Sequence, residues 1–141
     1  MNLIVTPESL AVLNALRDLV AENAKTKGFR AQMRGDLTDE QWAGPIGRAL
    51  RAAVYTANQH GEASEFWEAF RDDKLQAPCD KSEKMEALGL PGLSNAEEEI
   101  ADEIIRVLDK AEAHGVNVAK AVAVEFQYNA TRPALHGGKK A

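Results

Sequence analysis

Cysteine is nearly absent from this 141-residue chain, where Cys79 stands alone. That excludes an intramolecular disulfide and any cysteine-based zinc site. No apolar run approaches the ~18–20 residues that span a bilayer, so no membrane partner is expected. The opening Met1-Asn2-Leu3-Ile4-Val5 is too short for a signal peptide, which makes a cytoplasmic location the default expectation. Basic residues are in deficit, 17 against 22 acids, for a net charge of −5. A chain so balanced is a poor binder of nucleic-acid backbones, which requires clustered Lys and Arg. No strand and no internal repeat is signalled. The GxxxxGK[ST] loop is missing, which excludes a P-loop NTPase in its usual form, and no Ser-His-Asp arrangement emerges. What is plentiful is hydrophobic residues, 45% of the chain, enough for a packed core. The length fits one domain, residues 1–141.

Helix signals dominate. Thr6-Pro7-Glu8 offers a capping hydroxyl, a proline suited to the first turn and an acid near the positive end of the dipole. Leu10, Leu13, Leu16, Leu19 and Val20 follow at helical spacing, and the pattern stops near Lys27-Gly28. Residues 28–45 read as a loop with a short turn at Asp39–Trp42. A second helix is expected from about Ile46 to Arg71, with Ala49, Leu50, Ala53, Val54 and Ala57 on one stripe. Residues 72–94 read as a long connection, functional or mobile. Ser94 and Glu97 have capping-box spacing at the start of a third helix, with Ile100, Ile104, Val107, Leu108 and Ala111 as its apolar stripe and His114-Gly115 at its end. Asn117 caps a fourth helix to about Tyr128, with Val118, Ala121, Val122 and Phe126 inward. Residues from about 130 to 141 read as a flexible basic tail. The predicted class is all-α, a bundle of about four main helices.

The second helix carries an oddity. Its stripe of Leu50, Val54, Ala57 and Gly61 runs on by helical steps into Glu65 and Glu68, with Glu62 about 60° from Glu65. A carboxylate drawn toward a core needs a compensating partner. Glu62 and Glu65 are three apart and therefore neighbours, and so are Glu99 and Asp102 on the third helix. Two facing helices with such pairs make an all-oxygen cage, which selects Mg²⁺, Mn²⁺ or Ca²⁺. The competing reading is that these acids are solvated. The dipole alone explains Glu97 to Glu99, and on a helical wheel Glu99 and Asp102 lie opposite the Ile100/Ile104 stripe.

The run His60-Gly61-Glu62-Ala63-Ser64-Glu65-Phe66-Trp67-Glu68 resembles the ExxE helix of MazG-like nucleoside triphosphate pyrophosphohydrolases. Glu99-Ile100-Ala101-Asp102 resembles their ExxD element. Tyr128-Asn129-Ala130-Thr131-Arg132-Pro133, then His136-Gly137-Gly138-Lys139, is similar to the closing YNxTRP…HGGK stretch of one branch found in phage and bacterial genomes. Lys27-Gly28-Phe29 matches the end of the first helix there. The resemblance spans roughly residues 10–140. It departs at Glu125, which stands where relatives often carry a lysine. If that lysine touches phosphate, another base must do so here, or activity is weaker.

The resemblance implies hydrolysis of (d)NTPs to (d)NMP and pyrophosphate, in nucleotide pool control or house-cleaning. Glu62, Glu65, Glu99 and Asp102 would be the catalytic metal ligands, holding Mg²⁺ with Mn²⁺ as a substitute. Asn129, Arg132, Lys139, Tyr128, His136 and Trp42 are the substrate-binding candidates, with Arg106 a further base. The family's habit implies a homo-oligomer, dimer or tetramer, that completes the bundle. Against these stand plainer roles: a solubilising tail for Arg132, Lys139 and Lys140, core or interface packing for Phe66, Trp67 and Phe70, and structural roles for His60 and His114. Two other functions compete. One is a non-catalytic helical module that binds a nucleotide or a protein. The other is a di-iron bundle, which needs Glu-x-x-His pairs that neither Glu62 nor Glu99 provides.

Overall fold

The computed structural model describes residues 5–133, and these form seven helices with no strand among them. They are α1 (Ala11–Thr26), α2 (Phe29–Arg34), α3 (Asp39–Ala43), α4 (Pro45–Arg71), α5 (Ser82–Ala87), α6 (Asn95–Ala113) and α7 (Val118–Thr131). The all-α expectation holds, and the four long helices are the expected ones. The three short helices lie in segments expected to be irregular. Residues 28–45 hold α2 and α3, the latter closed by a capping box in which Thr38 Oγ1 accepts from Gln41 N and Gln41 Oε1 accepts from Thr38 N. Residues 72–94 hold α5.

Local signals placed the helix starts well where side chains cap the backbone. Ser94 and Glu97 form the expected capping box, with Ser94 N donating to Glu97 at 2.8 Å, and Asn117 accepts from Lys120 N. The start of α1 differs. Thr6 and Ser9 bind each other through backbone and hydroxyl groups, which satisfies locally what a first helical turn would otherwise take. The helix therefore begins at Ala11. At the other end α7 runs on to Thr131, past the expected limit near Tyr128. Most of the expected basic tail, with His136, Lys139 and Lys140, lies outside the described residues.

The two longest helices, α4 and α6, lie against each other, and α1 covers α6 and meets α7. At Gly47 a Cβ would stand 2.0 Å from the Trp42 carbonyl oxygen, so only glycine lets α3 close onto the start of α4. The core is small. Leu108, Ala111 and Val118 are buried together, with Leu13 and Val20 against them.

The expected apolar stripes are only partly inward. In α1, Leu16 and Leu19 are exposed. In α4, Ala49, Ala53 and Ala57 are exposed, and the inward face centres on Tyr55 and Glu62, seven residues and two turns apart. In α6, Ile100 and Ile104 are about half exposed, at 49% and 50%, while Glu98 and Glu99 are buried. In α7, Ala119 and Ala123 are buried beside Val118, whereas Ala121, Val122 and Phe126 are exposed. The physical reason is the same throughout: α1 covers only part of the α4–α6 pair, so the widest apolar faces have no helix to meet among the described residues.

Candidate metal centre

The facing surfaces of α4 and α6 bring carboxylates together. Glu62, Glu65 and Glu99 each offer an oxygen, and the three lie within 4.8 Å of one another. Glu62 and Glu99 are buried and Glu65 is exposed. The inward acid of α4 is thus Glu62 rather than Glu65, because the helix turns its Tyr55 face to α6. Asp102, expected as the fourth member, lies outside this group of three. It points to Lys81, whose Nζ is 3.5 Å from Asp102 Oδ2.

Two cations compensate part of the charge. Arg106 Nε donates to Glu62 Oε1 at 2.6 Å. Lys81 Nζ pairs with the buried Glu98, and that bond holds the Lys81 ammonium well above its usual range, with Asp102 adding to the effect. Lys81 arrives from the 72–94 segment, which is tied to the start of α6. Cys79 N donates to Leu93 O, Asn95 N to Ala77 O, and the Asn95 side-chain amide to Lys74 O at 2.8 Å. Cys79 is buried in this connection, and burial pushes its thiol up.

Glu99 is left over. Its Oε2 is buried with no hydrogen-bond partner among the described residues. Burial pushes its carboxyl up to about 7, and the neighbouring charges of Glu65, Glu98, Asp102 and Glu62 add to that. A buried, unpaired carboxylate oxygen facing two further carboxylates is costly unless a cation joins them. The donor set is all oxygen, which fits Mg²⁺ or Mn²⁺ and does not fit zinc or a blue-copper site.

Beside the cluster is a cavity of about 440 Å³ between α1, α2, α4 and α6. Leu19, Val20, Phe29, Met33, Val54 and Ile105 give it apolar walls, and Asn23, Gln32 and Asn58 supply amides. Arg106 belongs to both the cluster and the cavity, and Asn58 lies one turn before Glu62.

The remaining expected binding residues are elsewhere. Trp42 lines, with Arg34 and Arg51, an adjoining hollow that shares Arg30 and Tyr55 with the cavity, and the Arg51 guanidinium stacks 4.5 Å from the Trp42 ring centre. Tyr128, Asn129 and Arg132 form a local group at the end of α7. There Asn129 donates to Glu125 at 3.1 Å, Arg132 donates to Asn129, and Arg132 lies over the Tyr128 ring. No contact joins that group to the carboxylates among the described residues. His136 and Lys139 lie outside those residues. Trp67 and Phe70 stack on each other at 5.3 Å and are exposed rather than core. His60 is exposed, and His114 stands at the C-terminal end of α6 with its ring T-shaped to that of Tyr55.

Sequence reasoning missed Glu98 and Lys81. The i, i+4 spacing of Glu98 and Asp102 was available as a signal, since it presents two acids to one base. Lys81 gave none, because a loop's return path is not written in local spacing. No family model, curated protein or solved structure matches this chain.

Proposed function

We propose that this protein is a Mg²⁺-dependent nucleoside triphosphate pyrophosphohydrolase of the MazG-like kind, releasing a nucleoside monophosphate and pyrophosphate. One observation carries the reading: the orphaned, buried Oε2 of Glu99 within a group of three carboxylates. Glu62, Glu65 and Glu99 would hold the metal, with Asp102 at the margin once Lys81 yields it. A bound divalent cation neutralises charge on the triphosphate and makes the α-phosphorus more electrophilic. Glu65, the exposed carboxylate of the three, is open to water and serves as its proton acceptor. Water attacks the α-phosphorus, a P–O bond forms, and the α–β bridging bond breaks with its electron pair leaving on pyrophosphate. The adjoining cavity supports the same reading, since its apolar walls and three amides suit a flat, uncharged base. Ribo or deoxy preference and the choice of base depend on those contacts.

A panel of (d)NTPs with Mg²⁺ and pyrophosphate detection tests the proposal. Turnover of at least one nucleotide is expected, with a loss of about 100-fold or more in kcat/KM for Glu62→Gln or Glu99→Gln. A folded protein that turns over none of them would instead fit the non-catalytic helical module.

The partner in solution is proposed to be a second copy of the chain. Ile100, Ile104, Trp67 and Phe70 are exposed, and among the described residues no large side chain is fully buried, so the bundle lacks a complete core by itself. Light scattering should give a dimer or tetramer, and a stable monomer would refute it. No helix among the described residues is long and apolar enough to cross a membrane.

A further inference from the structure

Arg106 stands where the carboxylate group meets the cavity. It follows Glu99 by seven residues, two turns along α6, and so shares its face. A guanidinium carries five N–H donors in a planar fork. The Nε donor is used on Glu62 Oε1 at 2.6 Å. The two terminal nitrogens have no protein acceptor among the described residues, and the side chain is 42% exposed. The same side chain lines the cavity of about 440 Å³.

The terminal nitrogens of the other bases nearby are committed. Lys81 is held by Glu98 and Asp102. Arg30, which also lines the cavity, has both terminal nitrogens on Asp109 at 2.6 Å and Glu112 at 2.5 Å, and only its buried Nε is without a partner among the described residues. Lys110 donates to Gln59 and lies a further turn along α6, away from the carboxylates. Arg106 alone both pairs with a carboxylate of the cluster and lines the cavity, and its two terminal nitrogens are open to a ligand.

We propose that Arg106 has two tasks at once: its Nε orients Glu62, and its terminal nitrogens take phosphoryl oxygens of a polyphosphate lying between the carboxylates and the cavity. This inference rests on the pyrophosphohydrolase reading. Arginine suits it because the fork presents parallel donors to two acceptors, which a lysine ammonium on a single point cannot match. Nearest the carboxylates, Arg106 supplies the cationic contact that an anionic chain requires where five acids would otherwise repel it. Toward Glu62 it is a positioning residue, and toward substrate a binding residue.

The test uses the full chain with saturating Mg²⁺ and three probes: inorganic pyrophosphate, an α,β-imido nucleoside triphosphate, and the matching nucleoside without phosphate. In Arg106→Gln, affinity for pyrophosphate and for the imido analogue should fall about 10- to 100-fold, the worth of one or two charge-assisted bonds. Nucleoside affinity should hold within about twofold, and KM should rise along with a fall in kcat. Arg106→Lys should recover part of the pyrophosphate affinity but not kcat, because one ammonium serves only one acceptor. If Arg106→Gln does not fold, Arg106→Lys carries the test by the same ratio of pyrophosphate to nucleoside affinity. Equal pyrophosphate affinity in wild type and variant would overturn the inference while leaving the reading intact. Wild type that binds neither Mg²⁺ nor pyrophosphate would overturn both.

Discussion

The two ends of α6 handle buried charge in opposite ways. Near its C-terminus, Asp109 and Glu112 meet Arg30, and Glu112 also meets Lys25 at 3.1 Å. Two acids face two bases, and the side chains of Arg30 and Asp109 are well covered, at 18% and 13% exposure. Burial works against the charge on Arg30, but its bonds to Asp109 and Glu112 overcome that and raise it further. Near the N-terminus of α6, Glu98, Glu99 and Asp102 come together with Glu62 and Glu65, five acids against Lys81 and Arg106. The first end is a charge-balanced joint that ties α1 and α2 to α6, with only the buried Nε of Arg30 left without a partner among the described residues. The second is short by three positive charges. A surplus of that size between two packed helices is what the proposed cation would offset.

Opening the charge-balanced joint should give the largest change in stability. Arg30→Ala leaves Asp109 and Glu112 without their main partner and should cost about 2–3 kcal/mol in urea unfolding. Lys81→Met at the open end should cost less, about 1–2 kcal/mol, because the ammonium is half exposed. It should also raise the gain in stability that Mg²⁺ brings. Equal costs at the two ends would erase the contrast.

The two ends should also differ in pH dependence. With chelator present, folding holds the Glu99 proton more tightly than the unfolded chain does, since its carboxyl sits at about 7. Stability from this group is therefore fully present below the unfolded carboxylate range and is lost as pH rises from there through about 7. The fall should be about 3 kcal/mol, levelling off by about pH 8, and Glu99→Gln should flatten it. Mg²⁺ should reverse the slope, because it binds the ionised form. A chelated wild-type protein whose unfolding free energy is constant from pH 5 to 8 would count against an uncompensated Glu99.

The smallest expected effect comes from the joint between the 72–94 segment and α6. Ser94→Ala removes the hydroxyl of the capping box and should cost about 1 kcal/mol in thermal unfolding. Since the Ser94 backbone pairs with Pro78, fraying of the first turn of α6 should loosen the connection that carries Lys81. Faster amide exchange at Cys79 would report that, and unchanged exchange would mean Lys81 is held by its acids alone.

Much of this was legible in the sequence, and what was legible was local. Ser94 with Glu97 and Asn117 with Lys120 are caps formed within a few residues, so their spacing was enough. The i, i+3 carboxylates of α4 and α6 were likewise readable, and three of the four expected ligands converge. The facing of each helix was not readable, because it depends on what covers it. On a wheel Glu99 looked solvated and Ile100 inward, yet α1 covers only the later turns of α6, where Leu108 and Ala111 lie, and leaves Ile100 outside. Glu62 rather than Glu65 is the buried acid of α4 for the same reason, since the Tyr55 face meets α6. Asp102 turns to Lys81 because a 23-residue connection folds back on backbone bonds to residues 93–96, which no periodicity announces. The closing residues Tyr128, Asn129 and Arg132 were chosen by resemblance, and they bind one another and Glu125 at the end of α7, apart from the carboxylates.

The most direct measurement is a Mg²⁺ titration of the full chain followed by melting temperature, with wild type and Glu99→Gln side by side and Ca²⁺-free buffer throughout. Wild type should show a saturable rise, worth about 2.7 kcal/mol when Mg²⁺ reaches 100 times its dissociation constant, and Glu99→Gln should lose most of it. A wild-type melting temperature indifferent to Mg²⁺, or an equal rise in Glu99→Gln, would contradict a cation site at the acid-rich end of α6.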